Sequence, residues 1–174
     1  MAKDVSLRKA KLFTGMLPDD MSLLERIGRR ELFNPGELVF TGKIRGHSLF
    51  VIESGCVEVM RPEADGTQRL LARLRPGTSF GEAAMLDGHP RIAIGIASGS
   101  TGCWMLDAEG LRLLWAESPG TATRLLSNLS RVMAGRLART VNQVCGAVDG
   151  PELALSPKAA GKVSRSLWDR LMGR

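Results

Sequence analysis

The spacing of hydrophobic positions changes period along this chain. Near the N-terminus it is helical: Leu17-Pro18-Asp19-Asp20 reads as a helix entry with early acids, and Met21, Leu24 and Ile27 follow at three-residue spacing. From Glu31 to Arg75 the period drops to two. Short alternating or apolar runs are broken by Asn34-Pro35-Gly36, Gly42, Gly46, Ser54-Gly55, Asp65-Gly66 and Pro76-Gly77, which predicts many short strands joined by turns. Leu49-Phe50-Val51-Ile52 and Val57-Glu58-Val59 flank Glu53-Ser54-Gly55 and read as a hairpin; Leu70, Ala72 and Leu74 alternate toward the next turn.

Beyond a Gly-rich stretch at residues 79–97, Cys103 to Leu106 reads as the last strand. Asp107 is placed to cap a helix carrying Leu111, Leu114 and Trp115 on one side, and Ser118-Pro119-Gly120 breaks it. A long helix from about Thr121 to Val144 follows, with a stripe of Ala122, Leu125, Leu126, Leu129, Val132, Met133, Leu137, Val141 and Val144. A run of short strands with helices before and after is an α+β pattern in which the strands form a sandwich or roll.

Residues 79–97 carry the candidate chemistry. Phe80-Gly81-Glu82-Ala83-Ala84 sets a glycine before small residues, so the chain can turn sharply and present amide N–H groups at the start of a short helix. Asp87-Gly88-His89-Pro90 is a turn by composition. Arg91 then opens a strand-like segment with Ile92, Ile94 and Ile96 on one face and Ala93, Gly95 and Ala97 on the other. A strand returning beside the turn would bring a planar fork of donors to the corner, which suits a phosphate with two exposed oxygens. Glu82 can only accept a hydrogen bond when ionised, and fits a ligand that also carries a hydroxyl, as a ribose does. The same residues also admit a plainer reading, an ion pair between Glu82 and Arg91 that stitches a turn to a strand.

This run resembles the phosphate-binding cassette of cyclic nucleotide-binding domains, as in bacterial catabolite activators, regulatory subunits of cyclic AMP-dependent kinase and cyclic nucleotide-gated channels. Phe80-Gly81-Glu82-Ala83-Ala84 and Arg91-Ile92-Ala93 match the family pattern, and Pro35-Gly36-Glu37-Leu38-Val39-Phe40 and Phe50-Val51-Ile52-Glu53-Ser54-Gly55 precede them in the family's order. The resemblance runs from about Leu7 to Val144. It implies an eight-stranded, jelly-roll-like β-roll flanked by N-terminal helices and a long C-terminal helix. It also implies that Glu82 takes the ribose 2′-hydroxyl and that Arg91 takes the cyclic phosphate with the amides of the corner. Ile92 departs from the pattern, since the family places Ala, Ser or Thr there and a hydroxyl often accompanies cyclic GMP; this favours cyclic AMP over cyclic GMP. By alignment of the long helix, Thr140 falls where a hydroxyl meets the adenine amino group, while Val141 replaces a second polar residue. In the family this helix packs against its twin in a dimer or closes as a lid; packing on its own roll is the alternative.

Composition narrows the remaining classes. The formal charge is +6, which permits anionic partners without naming one. Cys56, Cys103 and Cys145 are odd in number and far apart, supporting neither a disulfide framework nor a zinc site, and a reducing cytoplasm is expected. The N-terminus lacks the apolar core of a secretion signal, and no stretch approaches the ~20 apolar residues of a membrane span. The two histidines, His47 and His89, lie in predicted turns without ligand spacing, so a metal-dependent jelly-roll enzyme is disfavoured; neither a metal nor a catalytic residue is expected.

The domain is expected to span residues 1–146, with a basic tail at 147–174. The residues past Gly146 are too few for the winged helix-turn-helix of catabolite activators, so DNA is not an expected partner. Val163, Leu167, Trp168, Leu171 and Met172, with Lys158, Lys162, Arg165, Arg170 and Arg174 elsewhere, sketch a basic amphipathic helix that could dock on a protein effector or an anionic membrane surface, or pack back on the domain. The sequence therefore points to a cyclic nucleotide sensor acting on a partner. The competing reading is a degenerate roll that serves as a scaffold without ligand.

Overall fold

Two strands with both faces buried decide the architecture. In a strand, successive side chains point to opposite faces. In the computed structural model, which describes residues 6–41, 47–88, 91 and 93–148, Leu49 and Val51 join one hydrophobic core with Trp104 and Leu106. Phe50 and Ile52 join a second core with Cys103 and Met105. The sheet these strands share must therefore be covered on both sides.

The chain runs through two short 3-10 turns (Leu7–Lys9 and Lys11–Phe13), α1 (Pro18–Ile27), β1 (Arg29–Phe33), β2 (Leu38–Phe40), β3 (Ser48–Ser54), β4 (Val57–Pro62), β5 (Gln68–Leu74), β6 (Ser79–Phe80), α2 (Glu82–Asp87), β7 (Ile94–Ala97), β8 (Thr101–Asp107), α3 (Ala108–Glu117) and α4 (Pro119–Val148). The strands form two four-stranded antiparallel sheets, β1-β8-β3-β6 and β2-β7-β4-β5. Phe33, Val39, Phe40, Phe50, Val57, Phe80 and Ala97 fill the space between them. Residues of the N-terminal turns, α1, α3 and the first part of α4 cover the other face of the first sheet. This is the eight-stranded roll with flanking helices expected from the sequence.

Two expectations are corrected, the hairpin at Gly55 and the placing of Trp115 with Leu111 and Leu114 on one side of α3. The runs on either side of Gly55 are not a hairpin: β3 pairs with β8 and β6, whereas β4 pairs with β5 and β7 in the other sheet, so Gly55 carries the chain between layers. The hairpin is β4–β5, turned at Asp65-Gly66, where Glu63 N donates to Thr67 O at 2.9 Å. On β7 it is the small residues, Gly95 and Ala97, that are buried, because Phe40 already fills that side; a Cβ on Gly95 would lie 2.3 Å from its ring. On α3, Leu114 is buried but Trp115 is exposed. The Asp107 cap is present, its Oδ1 accepting from Gly110 N at 2.8 Å. Ile92, His89 and residues 149–174 of the basic tail lie outside the described residues.

The chain divides into two compact units, Met1–Met133 and Ala134–Arg174. Within the first, α4 is tied to the N-terminal segment by polar bonds as well as by packing. Asp20, 3% exposed, accepts from Thr121 Oγ1 at 2.5 Å and from Arg124 Nη2 and Nε at 2.6 and 2.8 Å. Buried Asn128 donates to the carbonyls of Leu12 and Thr14, each at 2.9 Å. In the second unit α4 continues with Leu137, Val141 and Val144 exposed.

The Arg124 guanidinium holds the Asp20 carboxyl down at about 2, with the Thr121 hydroxyl and Leu17 N–H acting in the same direction against the cost of burial. A carboxylate whose folded pKa is depressed stabilises the fold above its unfolded pKa, and that contribution is lost as pH falls through the folded value. We expect Asp20→Asn to lower stability by about 2 kcal/mol at neutral pH. The gap between the two proteins should close as pH drops from about 4 toward 2, as read from melting temperature against pH. A gap that does not change with pH would contradict the ion pair as its source.

Candidate functional site

The site is built where β6 ends. Phe80 is buried between the sheets, and the chain then turns through Gly81, which has φ +87° and ψ 0°, a conformation disfavoured for residues with a Cβ. Space makes the same demand: a Cβ on Gly81 would lie 2.5 Å from Ser48 O and 2.7 and 2.9 Å from the Arg91 Nη1 and Nη2 atoms. Glu82 opens α2 and is 7% exposed; Ala83 is exposed and Ala84 is buried. Gly88, with φ +71°, ends the helix. A helix of six residues does not sustain itself in water, so α2 holds its shape through what it packs against.

Arg91 reaches the corner as expected, though from the segment before β7 rather than from the strand itself. Its guanidinium lies over the bare Cα of Gly81 and donates from Nη2 to Ser48 O at 2.5 Å. The Cζ atom stands 4.5 Å from the centre of the Phe40 ring and 5.9 Å from that of Phe50. Those rings belong to a stack with Phe80: Phe50 and Phe80 are parallel at 5.0 Å, and Phe40 tilts against Phe80 at 5.7 Å. The Phe40 ring shields one side of the cation. Burial lowers the Arg91 pKa, while the charge of Glu82 acts to raise it. An arginine remains charged through such a shift, so the corner holds a part-desolvated cation set over an aromatic ring.

Phe80, Gly81, Glu82, Ala84 and Arg91 are thus brought together, and half-buried Ala93 leads into β7. Thr140 belongs to the second unit and is exposed on α4. Reasoning from the sequence missed the Ser48 carbonyl, which no residue type encodes, and the Phe40–Phe50 platform, which the aromatic spacing could have suggested. The Cys103 thiol, buried with the carboxylates of Glu53 and Glu31 acting on it, is pushed up to about 12 and is not a nucleophile at neutral pH. Among the described residues no cluster of metal-binding side chains occurs, and no helix is long and apolar enough to cross a membrane.

Comparison with known proteins agrees with this geometry. The chain is 31% identical over 141 residues to the CRP-like cAMP-activated global transcriptional regulator of Mycobacterium tuberculosis, covering 81% of this chain and 61% of that protein. The crystal structure of Thermus thermophilus catabolite activator protein superposes with a TM-score of 0.69 at 29% identity, over 80% of this chain and 63% of that one. A cyclic nucleotide-binding domain from Methylobacillus flagellatus shares the fold with a TM-score of 0.71 at 23% identity, over 84% of this chain and 83% of that one. The chain spans about three fifths of the length of the curated relative from M. tuberculosis. Residues 30–118, which hold the roll, the Gly81 corner and Arg91, match the family model of the cyclic nucleotide-binding domain, and the chain belongs to that family.

Proposed function

We propose that this chain is a sensor domain for cyclic AMP that regulates a partner and has no catalysis of its own. The observation that carries the proposal is the seat of Arg91. A corner without a Cβ, an aromatic platform and a fixed carbonyl together hold a cationic fork beside Glu82. In this reading Arg91 and the segment Phe80, Gly81, Glu82, Ala83 and Ala84 take the cyclic phosphate, and Glu82 takes the ribose hydroxyl. Ile92 and Ala93 border the phosphate, and Thr140 accepts from the adenine amino group. Relatives named for cyclic AMP support the choice of ligand.

A route for the signal lies within the first unit. Met85 of α2 packs on the helical core that also contains Met21 and Leu24 of α1 and Ala122, Leu125 and Leu129 of α4. A ligand that shifts α2 at the corner therefore shifts a side chain seated on the core that the start of α4 shares. The output surface we propose is the later part of α4, where Leu137, Val141 and Val144 form one exposed stripe at helical spacing. A second copy of the chain is the proposed cover, in a helix-to-helix pairing.

Calorimetric titration with cyclic AMP tests the site. Leaving a bound phosphate without its paired cation costs about 3 to 5 kcal/mol. At about 1.4 kcal/mol per tenfold, Arg91→Ala should weaken binding by roughly two to three orders of magnitude. Arg91→Lys should also lose affinity, because a point charge cannot make two parallel bonds. Titration with cyclic GMP should give weaker binding than cyclic AMP, since Ile92 offers no hydroxyl. If Arg91 only stitches the turn to the strand, both substitutions will shift the melting temperature and leave the dissociation constant in place.

Sedimentation tests the output surface. The chain should associate as its concentration rises, and Leu137→Glu should abolish association without changing the melting temperature of the monomer. A wild-type chain that stays monomeric at high concentration, with and without cyclic AMP, would exclude self-pairing through α4.

A further inference from the structure

The pair of residues that enters β3 touches both halves of the corner. The carbonyl of Ser48 accepts from Arg91, and the ring of the preceding residue, His47, reaches across to α2, its Nδ1 standing 3.0 Å from Ala84 O. A carbonyl can only accept, so Nδ1 carries the proton and the bond runs from the imidazole to the helix. The contact has a structural reason. Carbonyls near the C-terminal end of a helix have few partners of their own, and a carbonyl oxygen can accept two bonds, so a short helix such as α2 gains from an outside donor near its end. His47 supplies one to Ala84 O.

We infer that His47 is a positioning residue for the nucleotide site: by capping Ala84 O it fixes the register of α2, and with it the direction in which Glu82 and the corner amides face. The inference rests on the cyclic nucleotide reading of the site. Its mechanical half, that the imidazole holds α2, stands without that reading. The dipeptide His47-Ser48 then acts as a two-pronged brace from the first sheet. Its backbone prong sets Arg91 and its side-chain prong sets the helix that carries Glu82. Substitution at His47 should loosen the second prong and leave the Arg91 contact with Ser48 O in place.

Side-chain length allows a specific test. The amide nitrogen of asparagine is as many bonds from Cα as the imidazole Nδ1, whereas that of glutamine lies one bond farther, where Nε2 would be. His47→Asn can therefore restore the bond to Ala84 O, and His47→Gln and His47→Ala cannot. The experiment measures amide hydrogen exchange in residues 82–87 of the ligand-free chain, together with calorimetric titration by cyclic AMP, for wild type and the three variants. We expect faster exchange in the alanine and glutamine variants and restored protection in asparagine. Cyclic AMP affinity should fall about fivefold in the first two, the loss expected for one ordinary hydrogen bond, and recover in the third. Imidazole nitrogen resonances of the wild type should report the Nδ1–H tautomer. Unchanged exchange in His47→Ala would overturn the inference whether or not the nucleotide binds. Faster exchange with undiminished cyclic AMP affinity would overturn the positioning role. A wild type that fails to bind cyclic AMP, with the exchange pattern as expected, would sink the nucleotide reading and the positioning role with it, and leave only the brace.

Discussion

A guanidinium resting on a glycine is the contact on which the functional region depends. Arg91 can lie over Gly81 only because that residue has no Cβ, and Gly81 can turn the chain there only because it tolerates φ +87°. The rest of the roll serves this contact. The Phe40 ring, packed against those of Phe50 and Phe80, shields one side of the cation, and β3 aims the Ser48 carbonyl at its edge. Cost also points to function. A cation held partly out of water is destabilising unless a partner compensates it, and Glu82 is the charge the structure sets against Arg91. A phosphate at the corner would add a second.

The two cores divide the labour. The core between the sheets builds the platform beneath Arg91, and the core outside the first sheet links α2 to the helices through Met85. β3 and β8 belong to both, one face to each, so a displacement at the corner meets stiff strands on one side and a helical layer on the other. The helical layer is tied by Asp20, Thr121, Arg124 and Asn128. These bonds bind the start of α4 to the N-terminal segment, so the two should respond together.

Much of this was legible in the sequence because the signals were local. Gly81 before small residues and an arginine just downstream gave the corner, the shift from period three to period two gave helices around strands, and Asp107 gave a cap that is present at 2.8 Å. What the sequence hid was set at long range. The runs flanking Gly55 look like a hairpin because turn residues join two apolar stretches, yet their partners lie elsewhere in the chain. The buried face of β7 carries Gly95 and Ala97 because Phe40, remote in sequence, occupies the volume the isoleucines would need. The apolar stripe of α4 reads as continuous, yet its early members Ala122, Leu125 and Leu129 are buried and its later ones are exposed. His47 and the Ser48 carbonyl escaped notice for a different reason: one is a lone histidine beside a strand, the other a backbone atom, and neither has a pattern that announces its partner.

The central claim, that Gly81 seats Arg91 to receive a phosphate, is tested most directly by Gly81→Ala. The new methyl group would occupy the seat and disfavour the turn, without removing a charge from the site. Cyclic AMP titration of the wild type and of Gly81→Ala, with melting curves on the same samples to establish that both are folded, decides it. The account predicts saturable binding by the wild type and a loss of at least a hundredfold in the folded variant, comparable to that of Arg91→Ala. Binding of cyclic AMP by a folded Gly81→Ala protein at wild-type affinity would contradict it.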